Sequence, residues 1–220
     1  MIISQDPEIV REILDRLVDE YVEEKPYPHV TQLIYCLTRS YFDITQGTQP
    51  TDDELMLFAV GWGLERVLLE SHAEPGEKDG ISYSPDFVTL RGAKAELKTT
   101  RMSSKKTAGP EYELPEGWVK QIMAYCYANG SLRYQLVVLH LMGNYAPPFP
   151  RLAGLTLEFN EDELSENWSW ILSRRLILDQ ALYEKVIPVP FTYNMSWECQ
   201  HCRHKIVCQA LEIAARRKDG

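Results

Sequence analysis

The residue types and spacing between positions 86 and 98 indicate a site that could hydrolyse a phosphodiester with the help of a metal. Asp86 is followed by Glu96 and Lys98, and a hairpin turn is predicted at Arg91-Gly92. On a strand, Glu96 and Lys98 share one face, and the hairpin would bring Asp86 almost opposite Glu96. Mg²⁺ commonly takes only one or two protein carboxylates, and a nearby lysine can position or activate water and stabilise phosphate charge. The alternative is a surface hairpin whose Glu96 and Lys98 face solvent.

Two helices carry further polar candidates for this site. Gln121 and Tyr125 are four positions apart, so a helix would place them on one face. Glu65 follows Gly61-Trp62-Gly63 on an earlier helix and adds a third carboxylate. The alternatives are a core role for Tyr125 and a solvated helix position for Glu65.

A local run of basic residues follows Lys98 in an otherwise acidic protein. It consists of Arg101, Lys105 and Lys106, with no acidic residue before Glu111. Such a run can bind phosphates through its charge. A merely solvated loop is the alternative, and the sequence does not favour either one.

Three cysteines lie close together near the C-terminus: Cys199, Cys202 and Cys208. We expect the protein to be intracellular, where disulfides are rare, so this C-x2-C-x5-C spacing suggests a metal. Three thiolates are one ligand short of a tetrahedral Zn²⁺ site or an iron–sulfur cluster. Cys36 is a candidate fourth ligand, and His201 or His204 would instead complete a zinc site. We interpret Cys126 as a core residue.

The pattern of apolar residues predicts an α/β order of elements around these side chains. N-terminal helices are expected from Pro7 to the break at 26–28, from Thr31 through Tyr41, and from after Pro50 to about Ser71. Strands at 81–83, 87–90 and 93–99 precede a loop at 101–116, a helix at 116–128 and strands at 134–142 and 152–159. A helix at 161–184 and an irregular C-terminal part follow.

Composition excludes a protein coated in basic charge. There are 23 Lys and Arg residues against 32 Asp and Glu, for a net charge of −9, but a local basic groove remains compatible with this balance. No apolar run is long enough to span a bilayer and the N-terminus does not resemble a secretory signal. We therefore expect a cytoplasmic protein without a membrane partner.

Taken together, these motifs resemble the RecB-like branch of the PD-(D/E)xK nuclease superfamily. The matching elements, in order, are an early cysteine, Gly61…Glu65, Pro85-Asp86…Glu96-Leu97-Lys98, Gln121…Tyr125 and C-x2-C-x5-C. Within that branch the sequence is most similar to the iron–sulfur CRISPR-associated exonuclease family (the fourth Cas protein) and its phage-borne relatives, from about Val30 to Cys208. The family often has histidine where Glu65 stands, and glutamate also binds hard metals.

The resemblance implies an α/β, restriction-endonuclease-like fold with a mixed central sheet flanked by helices. It implies one nuclease domain over 1–220, made of an N-terminal helical part (1–45), a PD-(D/E)xK core (50–185) and a C-terminal iron–sulfur module (186–220). It also implies functional residues: a [4Fe–4S] cluster on Cys36, Cys199, Cys202 and Cys208; Mg²⁺ or Mn²⁺ on Glu65, Asp86, Glu96 and the Leu97 carbonyl; catalytic Lys98; and supporting Gln121 and Tyr125.

We therefore expect a metal-dependent deoxyribonuclease, an exonuclease acting on single-stranded or frayed DNA ends in a prokaryotic or phage-infected cell. CRISPR adaptation or phage recombination proteins would be its partners. Two other classes compete: a non-cleaving DNA-binding or recombination accessory protein on the same fold, and a zinc-stapled structural protein. Because Lys98 would act in chemistry rather than packing, its replacement is expected to change stability little.

Overall fold

The computed structural model describes residues 7–20, 27–47, 49–69, 73–107, 113–147, 149–189 and 195–216. Its helices are α1 (Pro7–Glu20), α2 (Val30–Ile34), α3 (Leu37–Gln46), α4 (Asp52–Leu68), α5 (Ser104–Thr107), α6 (Glu116–Asn129), α7 (Glu161–Glu184), α8 (Met195–Gln200) and α9 (Lys205–Arg216). Its strands are β1 (Gly76–Lys78), β2 (Ile81–Tyr83), β3 (Phe87–Val88), β4 (Lys94–Thr100), β5 (Arg133–His140) and β6 (Arg151–Glu158). None of the helices in these ranges combines the length and apolar character needed to cross a membrane.

A mixed sheet with the order β3-β4-β5-β6 forms the centre of the fold. The β4–β5 pair is parallel, with α6 as the crossover between them, whereas β3–β4 and β5–β6 are antiparallel. The register sets Glu96 beside Leu136 and Lys98 beside Val138, so these four side chains lie on one face of the sheet. This confirms the predicted mixed sheet flanked by helices.

That face of the sheet is buried beneath α6, α2 and α7. Alternate residues of β5 point into the core, where Tyr134, Leu136 and Val138 are almost fully buried. The same core includes Leu33 of α2 and Leu178 of α7. The polar residues of β4 therefore lie under a layer of helices, not on an open surface.

A small hairpin of β1 and β2, of which the sequence predicted only β2, docks on α7. Its turn, Asp79-Gly80, has φ angles of 52° and 71°, which asparagine-like residues and glycine tolerate best in tight hairpins. The Asp79 carboxylate accepts a hydrogen bond from Trp168 Nε1 at 2.8 Å, and the Asp79 carbonyl accepts one from Arg175 at 2.8 Å. These polar contacts with α7 explain how so short a strand is held.

The single helix predicted from Thr31 through Tyr41 is wrong, because the chain leaves the helix at Tyr35. Cys36 then adopts an extended conformation and begins α3 as its N-cap. Arg174 of α7 donates hydrogen bonds to the carbonyls of Leu33 and Tyr35, the second at 2.6 Å. The break is stable because a distant guanidinium replaces the partners that a continuous helix would supply.

The C-terminal part is helical, not irregular as predicted, and docks on α3. His204 is 2% exposed, and its Nε2 lies 2.7 Å from Asp43 Oδ1. Arg203 Nε lies 3.2 Å from the same oxygen, and Arg39 pairs with Glu54 at 3.1 Å. The segment predicted as a loop at 101–116 also contains the helical turn α5.

Candidate active site and cysteine module

A hydrogen-bonded cluster joins β4 to α6 at the predicted catalytic position. Lys98 Nζ donates to Glu96 Oε1 at 2.6 Å and to Gln121 Oε1 at 3.0 Å. Gln121 Nε2 donates to Glu96 Oε1 at 2.7 Å and to the Tyr125 hydroxyl at 3.0 Å. Glu96 is 2% exposed, whereas the Lys98 side chain is 20% exposed. The strand period and the helix period thus bring together four residues singled out from the sequence.

Asp86 lies beside this cluster, close to the position that the hairpin predicted. Phe87 pairs with Ala95 across the hairpin, and the backbone N–H of Asp86 donates to the Ala95 carbonyl at 3.2 Å. The Asp86 carboxylate accepts a hydrogen bond from the Leu97 N–H at 2.7 Å. This bond fixes one carboxylate oxygen against the strand that carries Glu96 and Lys98.

Lys98 is held as a cation. Burial alone would lower its pKa, but the Glu96 carboxylate, with smaller contributions from Tyr35 and Asp86, reverses that effect and raises the pKa above its ordinary value. A lysine protonated at neutral pH cannot remove a proton from water. The contact with Glu96 therefore favours the protonated form of Lys98, which suits charge stabilisation.

Tyr125 connects α6 to the segment before Asp86. Its hydroxyl is buried, and burial, followed by the charge of Glu96, raises its pKa well above the ordinary value. The backbone N–H of Ser84 interacts with the same hydroxyl. Tyr125 therefore lies in the core, as the alternative interpretation held, and it also contacts both sides of the candidate site.

Tyr134 is a buried residue near the site that the sequence analysis missed. It lies on the same face of β5 as Leu136, the neighbour of Glu96, and its ring centroid is 6.0 Å from that of Tyr125. Its hydroxyl is buried and makes no hydrogen bond within the described part of the chain. The two-residue period of β5 could have placed it on this face.

The oxygen donors at the site fit a hard divalent cation in kind. Asp86, Glu96 and the Leu97 carbonyl supply only oxygen, and Mg²⁺ keeps several water ligands beside one or two carboxylates. Among the described residues, no group of three or more His, Cys, Asp or Glu side chains is arranged to hold a metal ion. Glu65 lies on α4, which packs against β4, but it does not complete such a group with Asp86 and Glu96.

The predicted cluster cysteines are half-buried thiols: Cys36, Cys199, Cys202 and Cys208. Burial raises the pKa of the Cys202 thiol, and nearby Cys36 adds to that rise. Thiolates suit iron–sulfur clusters and zinc, yet no three of these side chains form a metal-holding group in the described ranges. Cys126 is fully buried, which confirms its interpretation as core.

The basic segment after β4 is held in a defined conformation at its backbone. Tyr145 donates a hydrogen bond to the Arg101 carbonyl at 2.7 Å, and His140 Nδ1 lies 2.8 Å from the Met102 carbonyl. Arg101 and Lys105 are exposed, and Lys106 lies in α5. The segment is therefore an anchored surface feature close to the chain position of Lys98.

Comparison with known proteins shows a shared fold but no family. No protein-family model matches the sequence, and no curated protein matches it. The solved structure titled SSO0001 is similar, with a TM-score of 0.52 and 17% identity over 91% of this chain and 95% of that one. Structural neighbours also include an alkaline exonuclease (LHK-Exo) from Laribacter hongkongensis, with a TM-score of 0.49 and 12% identity over 78% and 95% of the two chains. A phage-related exonuclease from Haemophilus somnus 129PT has a TM-score of 0.35 and 14% identity over 81% and 82%.

Proposed function

We propose that this protein is a metal-dependent deoxyribonuclease that hydrolyses phosphodiester bonds. The observation that carries the proposal is the cluster of Glu96, Lys98 and Gln121 beside Asp86, assembled from one strand, one hairpin and one helix. A purely structural ion pair would not need a second carboxylate and an amide at the same point. A solvent-facing hairpin is also inconsistent with the 2% exposure of Glu96.

In this proposal each residue of the site has a different role in phosphodiester hydrolysis. Asp86, Glu96 and the Leu97 carbonyl would hold Mg²⁺ or Mn²⁺, which when bound would polarise the phosphate and acidify a water ligand. Lys98, held protonated, stabilises the negative charge that develops on the phosphate. Gln121 fixes the positions of Lys98 and Glu96 through its amide.

We also propose that the substrate is DNA and that the protein acts as an exonuclease on single-stranded or frayed ends. The family resemblance supports the substrate and the mode, and the anchored basic segment supports phosphate binding. Arg101, Lys105 and Lys106 would contact the strand next to the site.

A further part of the proposal is a [4Fe–4S] cluster on Cys36, Cys199, Cys202 and Cys208. Cys36 is close enough to Cys202 to affect its pKa, whereas the Nε2 of His204 is already engaged by Asp43. These contacts favour Cys36 over His204 as the fourth ligand. Anaerobically purified protein should contain about four irons per chain, and stoichiometric zinc without iron would overturn the cluster.

The experiment that tests the nuclease proposal measures Mn²⁺-dependent cleavage of labelled single-stranded and double-stranded DNA. Asp86→Asn and Glu96→Gln should abolish cleavage, because each removes a charged oxygen ligand. The control is Glu158→Gln, an exposed strand carboxylate that pairs with Arg133. Chelator should stop the wild type. Cleavage that survives excess chelator refutes the mechanism, and DNA binding without cleavage would favour the accessory protein.

A further inference from the structure

Tyr35 occupies a fixed position between the candidate active site and the cysteine module. It follows α2 and directly precedes Cys36, at the break that separates α2 from α3. Its carbonyl accepts a hydrogen bond from Arg174 Nη2 at 2.6 Å, and Arg174 itself is buried. The backbone from which the Tyr35 ring projects is therefore held by the core.

The ring of Tyr35 lies against bare backbone at the beginning of α6. A Cβ atom added to Gly117 would be 2.8 Å from the ring carbon Cε1 and 3.4 Å from the hydroxyl oxygen. Only glycine leaves room for the ring at this point. Gly117, Gln121 and Tyr125 follow at intervals of four residues, so the Tyr35 hydroxyl lies on the helix face that carries the catalytic cluster.

The contact with Gly117 places Tyr35 within range of the charges of this cluster. Burial raises the pKa of Tyr35, Lys98 opposes that rise and Glu96 adds to it. Tyr35 in turn contributes to the raised pKa of Lys98. Glu198 of α8 also raises the pKa of Tyr35, so the C-terminal module lies near the same ring.

Tyr35 is less buried than three residues of the cluster. Glu96, Gln121 and Tyr125 are 2%, 3% and 1% exposed, whereas Tyr35 is only partly buried. Tyr35 and Lys98, whose side chain is 20% exposed, therefore keep more contact with solvent than the rest of the cluster.

We propose that Tyr35 is a further substrate-contacting residue, whose hydroxyl donates a hydrogen bond to a phosphate oxygen of the DNA strand at the cleavage site. The inference rests on the proposed nuclease function. A phenol on a fixed backbone can hold the scissile phosphate in register with Lys98, which is the kind of positioning that raises the rate of the chemical step. The contact is made to one phosphate, at the cleavage site. Many phosphates contribute to overall DNA affinity, so losing this contact should affect turnover more than affinity.

The test compares Tyr35→Phe, which removes only the hydroxyl, with Tyr183→Phe, a control at a tyrosine that is 89% exposed. Losing a hydrogen bond to a charged phosphate should lower kcat roughly 10- to 100-fold, while KM and Tm stay close to wild type. Gly117→Ala should also lower kcat because its Cβ displaces the ring, whereas Gly154→Ala, with nothing within 4 Å, should not.

The outcomes separate this inference from the function on which it rests. Wild-type protein that cuts DNA, with Tyr35→Phe and Gly117→Ala both within twofold of its kcat, overturns the role of Tyr35 and leaves the nuclease proposal standing. Wild-type protein that cuts no DNA refutes the nuclease proposal and the role of Tyr35 with it.

Discussion

Replacing Lys98 with methionine should destabilise the protein as well as stop cleavage. Lys98 Nζ lies 2.6 Å from an oxygen of Glu96, whose side chain is 2% exposed. Methionine keeps most of the apolar stem of lysine but leaves the buried carboxylate without the ammonium. The structure thus replaces the expectation that a change at Lys98 has little effect on stability.

The size of the effect follows from the burial of the pair. Breaking a fully buried ion pair by removing one partner typically costs about 3–5 kcal/mol. Lys98 is 20% exposed and Gln121 still donates to Glu96, so we expect about 2–3 kcal/mol here. Protonating an ordinary glutamate at pH 7 costs about 4 kcal/mol, which is the upper limit because Glu96 can take up a proton instead. The Tm should fall by about 5–10 °C for a chain of this size.

The assay is thermal or denaturant unfolding of Lys98→Met at pH 7 and pH 5, with exposed Lys105→Met as the control. In the variant the buried carboxyl binds a proton more readily in the folded than in the unfolded state, so stability rises as the pH falls. The cost of protonating an ordinary glutamate drops to about 1 kcal/mol at pH 5, and the deficit relative to wild type should shrink accordingly. Adding Glu96→Gln to the variant should restore stability at pH 7.

In the wild type the same direction of pH dependence applies, but at alkaline pH. The folded-state pKa of Lys98 is raised, so its contribution is present below about pH 10.4, the unfolded value, and is lost as the pH rises beyond it. A Lys98→Met protein within about 0.5 kcal/mol of wild type at pH 7, the range of surface substitutions, would refute the buried pair.

Three other predictions concern parts of the chain away from this pair. The basic segment after β4 can be neutralised by changing Arg101, Lys105 and Lys106 to glutamine. The slope of log binding constant against log salt concentration for single-stranded DNA should then become shallower by about 0.7 per lost phosphate contact. An unchanged slope would mean that the segment is a solvated loop. Asp43→Asn should lower Tm and the iron content per chain, because it loosens the contacts of His204 and Arg203; the exposed Asp52→Asn is its control, and unchanged iron would contradict this docking. Burial raises the pKa of Cys126 to about 12, so folded protein should not be alkylated there at pH 8, whereas alkylation at the rate of an exposed thiol would show an open core.

Much of the candidate site could be predicted because its geometry is local. A two-residue period places Glu96 and Lys98 on one face, a tight hairpin brings Asp86 opposite, and a four-residue spacing aligns Gln121 with Tyr125. The pairing of β4 with β5 and the helical cover were also predictable in kind, because an α-helix lies between two apolar strands.

The rest depended on contacts between residues that are distant in sequence. The position of Tyr35 is set by a helix break that Arg174 stabilises from 139 residues away, and no local pattern marks it. Strand β1 is polar and only three residues long, so its sequence does not predict a strand. It is held in place by the turn residue Asp79, which contacts α7. The charge state of Lys98 likewise follows from its contact with the Glu96 carboxylate, which a sequence motif does not report.

The packing of the N-terminal helices on α7 has a consequence for synthesis on the ribosome. Leu33 and Arg174, which are joined by a hydrogen bond, are separated by 141 positions. At about 5–20 residues per second, translation of that interval takes roughly 7–28 s. Throughout it Val30, Leu33 and Ile34, each 0% exposed in the folded protein, lack the helix that covers them. The emerging N-terminal half is therefore prone to aggregation during translation, and slow codons before position 174 would lengthen that period.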